Sequence, residues 1–94
     1  MDSILQDTRE CYITGATEGL HKHHIYYGTA LRKISEANGL WCWLRWDWHN
    51  GAAYGVHGRD GHDLDLRLKQ ACQERYEETH SRDEFRRLIG KSYL

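Results

Sequence analysis

Histidines that could bind a metal ion occur in two groups along the sequence. Three of the seven lie close together at His21, His23 and His24, and others follow at His49 and His57. Imidazole is the commonest metal ligand in proteins, and its unperturbed pKa lies near neutral pH. A histidine with such a pKa can take a proton from water, so these residues favour metal-assisted hydrolysis.

The adjacent pair His23 and His24 could divide that chemistry between them. Neighbouring side chains of a strand point to opposite faces, so the two rings take different roles only where the strand twists or ends. One ring could then hold a divalent ion while the other faces a water molecule beside it. A metal with two or three protein ligands keeps open positions for a phosphate oxygen, which indicates phosphodiester hydrolysis. His21, His62 and His80 are predicted to be ordinary surface histidines.

Short strand segments are expected to carry the first histidines. β-Prone residues at 11–15 and at 20–27 predict a hairpin. Residues 30–36 form either a short helix or an irregular loop. The aromatic run 40–46 predicts a buried strand that supplies much of the core.

The second half of the chain is predicted to be mainly helical. Asp47 is expected to cap a short helix that carries His49, and a flexible, glycine-rich stretch follows at 51–61. Apolar spacing predicts a helix over 63–79. A Ser-x-x-Glu capping box at 81–84 then opens another helix.

Composition limits the classes of protein that the chain can represent. Its 94 residues make one small domain with a limited core, to which a bound metal or a second copy in a homodimer would add stability. The net charge of −1 excludes a uniformly basic nucleic-acid-binding protein. Contact with DNA must therefore come from a local basic cluster, such as Arg32 and Lys33.

The cysteines indicate a reducing compartment, and the hydropathy indicates neither a signal peptide nor a membrane span. Cys11, Cys42 and Cys72 are widely spaced and odd in number, which is untypical of a disulfide framework. The sequence contains no C-x-x-C pair, which is the usual signature of a structural zinc site. The polar start of the chain indicates no signal peptide, and no apolar run could span a membrane. We therefore expect a soluble cytoplasmic protein with no membrane partner.

Five motifs occur in order along the chain: CYITG at 11–15, LHKHHI at 20–25, GLW at 39–41, HN at 49–50 and GVH at 55–57. With the tail GKSYL at 90–94, they resemble the HNH, or ββα-metal, endonuclease superfamily. More narrowly, the chain is similar to small HNH-like proteins of bacteriophages and prophages, over about residues 11 to 94.

The resemblance implies an α+β fold in a single domain, 1–94. An N-terminal arm at 1–9 precedes a core at 11–60, in which a β-hairpin and a helix form the ββα-metal unit. Two C-terminal helices occupy 61–94. The location implied is the cytoplasm of a bacterial host cell.

The resemblance also assigns roles to individual residues. His24 matches the general base that activates water, and His23, His49 and His57 match metal ligands. The remaining candidates are Asn50, as a ligand or as a partner that orients one, and Arg32 and Lys33, as contacts to the DNA backbone. The cofactor implied is a divalent metal, Mg, Mn, Ni or Zn, with no structural zinc.

The function implied is that of a phage-type, metal-dependent DNA endonuclease or nickase. The chain departs from the family pattern in three ways: it has no C-x-x-C pairs, Asn38 is displaced from the position of the middle Asn, and the gap from His49 to His57 is long. The missing C-x-x-C pairs and middle Asn, together with the near-neutral net charge, favour an alternative, a catalytically inactive HNH-like phage protein. Such a protein would bind and inhibit a host defence nuclease, like an anti-CRISPR protein, or assist recombination. A metal-binding structural domain is a third alternative.

Overall fold

A two-stranded antiparallel sheet forms the β part of the computed structural model, which describes residues 1–94. Strand β1 is Leu20–His24 and strand β2 is Trp41–Arg45, with His23 opposite Cys42. Helix α1, Thr29–Asn38, connects the two strands. The fold class is therefore α+β, as the sequence predicts.

The predicted pairing of 11–15 with 20–27 is wrong, because β1 pairs with β2 instead. Residues 12–14 form a turn, closed by a hydrogen bond from the Gly15 N–H to the Cys11 carbonyl. The side chains of Tyr12 and Ile13 are each 38 % exposed, so this apolar pair does not face the core as a buried strand would. The aromatic run at 40–46, by contrast, contains β2, as predicted.

Helix α1 ends at a glycine that the fold requires. Gly39 has a φ of 71°, in the left-handed region, and its N–H donates to the carbonyl of Ser35. A Cβ at this position would also lie 2.2 Å from the carbonyl oxygen of Asp2. The helical alternative for 30–36 is thus the one observed.

The chain leaves β2 through a π-helical turn, Asp47–Gly51, and a glycine-rich loop. Helix α2, His62–Tyr76, and helix α3, Arg82–Ile89, complete the fold. Helix α2 ends three residues earlier than the sequence pattern suggests, because Glu78 and Thr79 form tighter turn hydrogen bonds. No helix of the structure has the length and apolar character needed to span a bilayer.

Both hydrogen bonds of the predicted capping box are present at the start of α3. The Ser81 hydroxyl accepts from the N–H of Glu84 at 3.1 Å, and the Glu84 carboxylate accepts from the N–H of Ser81 at 3.2 Å. Gly90 ends the helix with a φ of 107°.

One hydrophobic core joins the sheet to the helices. It includes the three free thiols, which are buried as small apolar groups. Its twelve members are Cys11, Ile25, Tyr26, Leu40, Cys42, Leu44, Val56, Leu68, Cys72, Tyr76, Phe85 and Ile89. Because Ile25 follows β1 directly and Val56 precedes His57, the same packing that forms the core also fixes the segments that carry the histidines.

Candidate metal centre

Three histidines from separate segments meet at one point. His23 lies on β1, His49 on the π-helical turn and His57 in the glycine-rich loop. One ring nitrogen from each lies within 4.8 Å of the others. The ring centroids are 5.2 Å apart for His23 and His49, 5.1 Å for His23 and His57, and 4.9 Å for His49 and His57. The three ligands that the sequence suggests are thus brought together.

The position of His49 depends on an ion pair at the end of β2. The carboxylate of Asp47 accepts from Nε of Arg45 at 2.6 Å and from Nη2 at 2.8 Å, and it also accepts from the hydroxyl of Tyr54. These hydrogen bonds hold the pKa of Asp47 well below its usual range. Asp47 was predicted to cap a short helix, but its side chain makes no capping hydrogen bond. It instead anchors the turn that presents His49.

The glycine-rich loop holds His57 by backbone hydrogen bonds to the π-helical turn. The N–H of His57 donates to the carbonyl of His49 at 2.9 Å, and that of Val56 donates to the carbonyl of Trp48 at 2.8 Å. The stretch 51–61, which was predicted to be flexible, makes five further backbone hydrogen bonds within or just beyond it: those of Gly55, Gly58, Asp60, Gly61 and Asp65.

Among the three histidines, His23 has the surroundings that best fit a metal ligand. Its side chain is 1 % exposed, and neither ring nitrogen has a hydrogen-bond partner. Polar atoms are rarely buried without a partner, since they lose their hydrogen bonds to water. Burial, aided by the neighbouring charges of His49 and His57, lowers the pKa of His23 to about 3. The ring is therefore neutral at pH 7, with a lone pair free to bind a metal.

The other two ligands are also held in the neutral form that binds metals. Burial, with the charges of His57 and His21, lowers the pKa of His49 to about 4, and burial lowers the pKa of His57. Neutral imidazoles suit zinc, copper and nickel, whereas magnesium prefers oxygen ligands. The donor set therefore fits a borderline transition-metal ion.

His21 belongs to this centre, although the sequence suggests an ordinary surface residue. Its Nδ1 lies 3.0 Å from Nδ1 of His49, a distance at which one ring donates its N–H to the other. This contact occupies Nδ1 of His49 and leaves Nε2 free to bind a metal. The signal that could have found His21 is its spacing of two from His23, which puts both side chains on one face of β1.

His24 lies outside the group of three nitrogens. Its Nε2 is 3.8 Å from a carboxylate oxygen of Glu36 on α1, next to the ion pair of Lys22 with the same glutamate. Alternation along β1 explains the separation, because His24 and Lys22 point away from the face that carries His23. Burial lowers the pKa of His24, so the ring is neutral at pH 7 and can accept a proton. Its role as a base stays a prediction.

The remaining candidates do not contact the centre directly. Asn50 is exposed and makes no side-chain hydrogen bond to a histidine. Arg32 and Lys33 are exposed on α1, and the charge of Arg32 acts on His24.

Comparisons with protein-family models, with curated proteins and with solved structures find no match for this chain. Function must therefore be argued from the site itself. Three neutral imidazoles, of which His57 is exposed and His49 half-buried, form a ligand set that is open to solvent on one side. Such a set can bind a metal and leave room for water or a substrate oxygen.

Acid is expected to destabilise the metal-free protein well before its carboxylates titrate. The folded-state pKa values of His23 and His49 are about 3 and about 4, against 6.5 for an unperturbed histidine. As the pH falls below 6.5, the unfolded chain binds protons that the folded chain does not, so the free energy of unfolding decreases. For the buried His23 the slope approaches about 1.4 kcal/mol per pH unit.

Urea denaturation after EDTA treatment, compared at about pH 7 and about pH 5, measures this loss. His23→Leu is the control, because it removes the group with the most depressed pKa and should give a shallower dependence. Equal pH dependence in the two proteins would contradict the assignment.

Proposed function

We propose that this protein is an HNH-like, metal-dependent phosphodiester hydrolase that cuts or nicks DNA. The single observation that carries the proposal is the convergence of His23, His49 and His57 around the unpartnered ring nitrogens of buried His23. A site built only for stability would be closed by a fourth protein ligand. Here no fourth side chain joins the group, and His57 is exposed.

The metal proposed for this centre is Zn²⁺ or Ni²⁺ rather than Mg²⁺, because all three ligands are imidazoles. When bound, such an ion polarises the phosphate and stabilises the leaving oxygen. His21 would keep the ring of His49 in the orientation that directs Nε2 toward the ion.

His24 is proposed as the base that takes a proton from the attacking water. Its lowered pKa keeps it neutral and ready to accept that proton. Glu36 lies 3.8 Å from its Nε2, and hydrogen bonds from Lys22 lower the pKa of that carboxyl. An ionised carboxylate at this distance would stabilise the imidazolium that forms.

The proposed ββα-metal unit is made of β1, β2 and the turn Asp47–Gly51, followed by α2 and α3. In this arrangement the turn takes the place of the helix that carries the last metal ligand of the superfamily. DNA would be held by local cations, among them Arg32 and Lys33, since the net charge is only −1.

The second candidate is an inactive HNH-like protein that binds a host defence nuclease or assists recombination. The observation that favours it is the contact of His24 with Glu36, on the face of β1 opposite to His23. In this alternative the centre would still bind a metal, but no base would stand beside it.

Nicking of supercoiled plasmid separates the two candidates. The protein is expected to convert the plasmid to the open-circular form with Zn²⁺, Ni²⁺ or Mn²⁺. His23→Ala should abolish this nicking, because the substitution removes a proposed metal ligand. His24→Ala should lower the rate by about 10²–10⁴-fold, as removal of a general base does.

His62→Ala is the matched control, because His62 is an exposed histidine at the start of α2. It should leave the nicking rate unchanged. Absence of cleavage by the intact protein with metal bound would reject the nuclease and favour the inactive alternative.

A further inference from the structure

A partly buried carboxylate on α2 has one oxygen that makes no hydrogen bond. The side chain of Asp65 is only 16 % exposed. Its Oδ2 accepts from Nζ of Lys69 at 2.9 Å and from the hydroxyl of Tyr27 at 3.2 Å. Its Oδ1 is buried and has no hydrogen-bond partner. A buried oxygen of this kind is expected to accept a hydrogen bond.

The surroundings of Asp65 connect it to His57. The Tyr27 ring, whose hydroxyl is bound to Asp65, packs edge-on against the ring of His57 with a centroid distance of 4.9 Å. It also lies 6.2 Å from the ring of His23. Desolvation lowers the pKa of His57, and the negative charge of Asp65 acts in the opposite direction.

Metal-bound histidines almost always donate their second ring N–H to a carboxylate or a carbonyl, which fixes the tautomer and the ring orientation. His49 has such a contact in His21, at 3.0 Å. His57 has no side-chain hydrogen bond of its own, and Asp65 has an oxygen without a partner. A donor without an acceptor and an acceptor without a donor are thus both in contact with the same residue, Tyr27.

We propose that Asp65 is the positioning residue for His57, and that its Oδ1 accepts the outer ring N–H of His57 when His57 binds a metal through its other nitrogen. The inference rests on the proposed metal centre but not on DNA cleavage. Lys69 and Tyr27 then hold the carboxylate by its other oxygen, so the chain of contacts extends from α2 to the ion.

Zinc titration of the intact protein tests this role. Asp65→Asn should weaken Zn²⁺ binding by about 10–100-fold, the usual loss when the partner of a ligand is removed. Asp63→Asn is the control: it makes the same substitution at an exposed carboxylate of α2, which pairs with Arg67 instead, so zinc affinity should stay within about threefold of that of the unmodified protein. In ¹H–¹⁵N spectra of the zinc-bound protein, the ring N–H of His57 should exchange slowly with water, and this signal should be lost in Asp65→Asn.

The two proposals fail in different ways. If the unmodified protein does not bind Zn²⁺, the metal centre is rejected and the role of Asp65 with it. If it binds Zn²⁺ but Asp65→Asn binds equally tightly, only the positioning role is overturned. If Asp63→Asn weakens binding as much as Asp65→Asn does, the loss comes from the overall negative charge of α2, and the positioning role is again overturned.

Discussion

Leucine in place of His23 is expected to stabilise the metal-free protein and to abolish its response to divalent ions. The His23 ring is 1 % exposed, and both of its nitrogens lack a partner. A buried polar group left in this state costs about 1–3 kcal/mol, which an apolar side chain of similar volume would recover. The prediction is a gain of this size in the free energy of unfolding after EDTA treatment.

Divalent ions should have a large effect on the unmodified protein. An ion present at about 100 times its dissociation constant stabilises the folded state by about 2.7 kcal/mol if it binds that state alone. For a chain of this length, the melting temperature should then rise by roughly 10–20 °C. Because His23→Leu lacks the buried ligand, its melting temperature should change little on addition of the same ion.

Thermal denaturation with EDTA and with Zn²⁺ measures both parts of this prediction. His62→Leu is the control, since the same substitution at an exposed histidine relieves no buried polar atom and removes no ligand. It should behave like the unmodified protein. A His23→Leu protein that is less stable than the unmodified protein in EDTA, or that still gains more than a few degrees from Zn²⁺, would show that His23 is an ordinary core histidine.

The sequence indicates the fold class and the three histidines that the fold brings together, but not the strand pairing. Residues 11–15 and 20–27 both have β-prone composition, and short segments so close in sequence favour a hairpin. The observed partner of β1 is β2, beyond α1. Pairing across a connecting helix depends on which faces are buried together, as with Ile25 and Leu40 in the core. Local composition does not contain that information.

The site was predictable to a similar extent. His23, His49 and His57 stand out because histidines are few and recur in short motifs, and the structure brings them together. His21 could have been found only from its spacing of two from His23, which puts both side chains on one face of a strand. The role proposed for Asp65 could not be found from sequence, because it depends on contacts between distant segments. His24 illustrates the opposite case: its position next to His23 suggests a shared site, yet alternation along β1 turns it toward Glu36.

The glycines of the loop were interpreted as points of flexibility, and the structure shows a second reason for glycine at two of these positions. A Cβ at Gly58 would lie 2.2 Å from the carbonyl oxygen of Ala53, and one at Gly61 would lie 1.9 Å from the carbonyl oxygen of Gly55. Both distances are far below any real contact. The glycines are thus needed for close approach of two backbone segments, an alternative use of glycine that sequence alone cannot distinguish from flexibility.

Alanine at Gly61 is therefore expected to disrupt the metal centre from a distance. The new methyl group would push the backbone of Gly55, which is only two residues from His57, and backbone cannot move aside as a side chain can. Overpacking of this kind costs about 1–3 kcal/mol in the free energy of unfolding. Because the N–H of His57 is bonded to the carbonyl of His49, the same displacement should separate two ligands and lower Zn²⁺ affinity at least tenfold.

Calorimetric titration with Zn²⁺ at a temperature where both proteins are folded separates the loss of affinity from the loss of stability. Gly15→Ala provides the comparison, because Gly15 has a φ of 77° but nothing within 4 Å of a new Cβ. It should cost about 1 kcal/mol through backbone strain and leave zinc affinity unchanged. If Gly61→Ala binds Zn²⁺ as tightly as the unmodified protein, then the position of His57 does not depend on this packing, and the loop is as adaptable as its composition suggests.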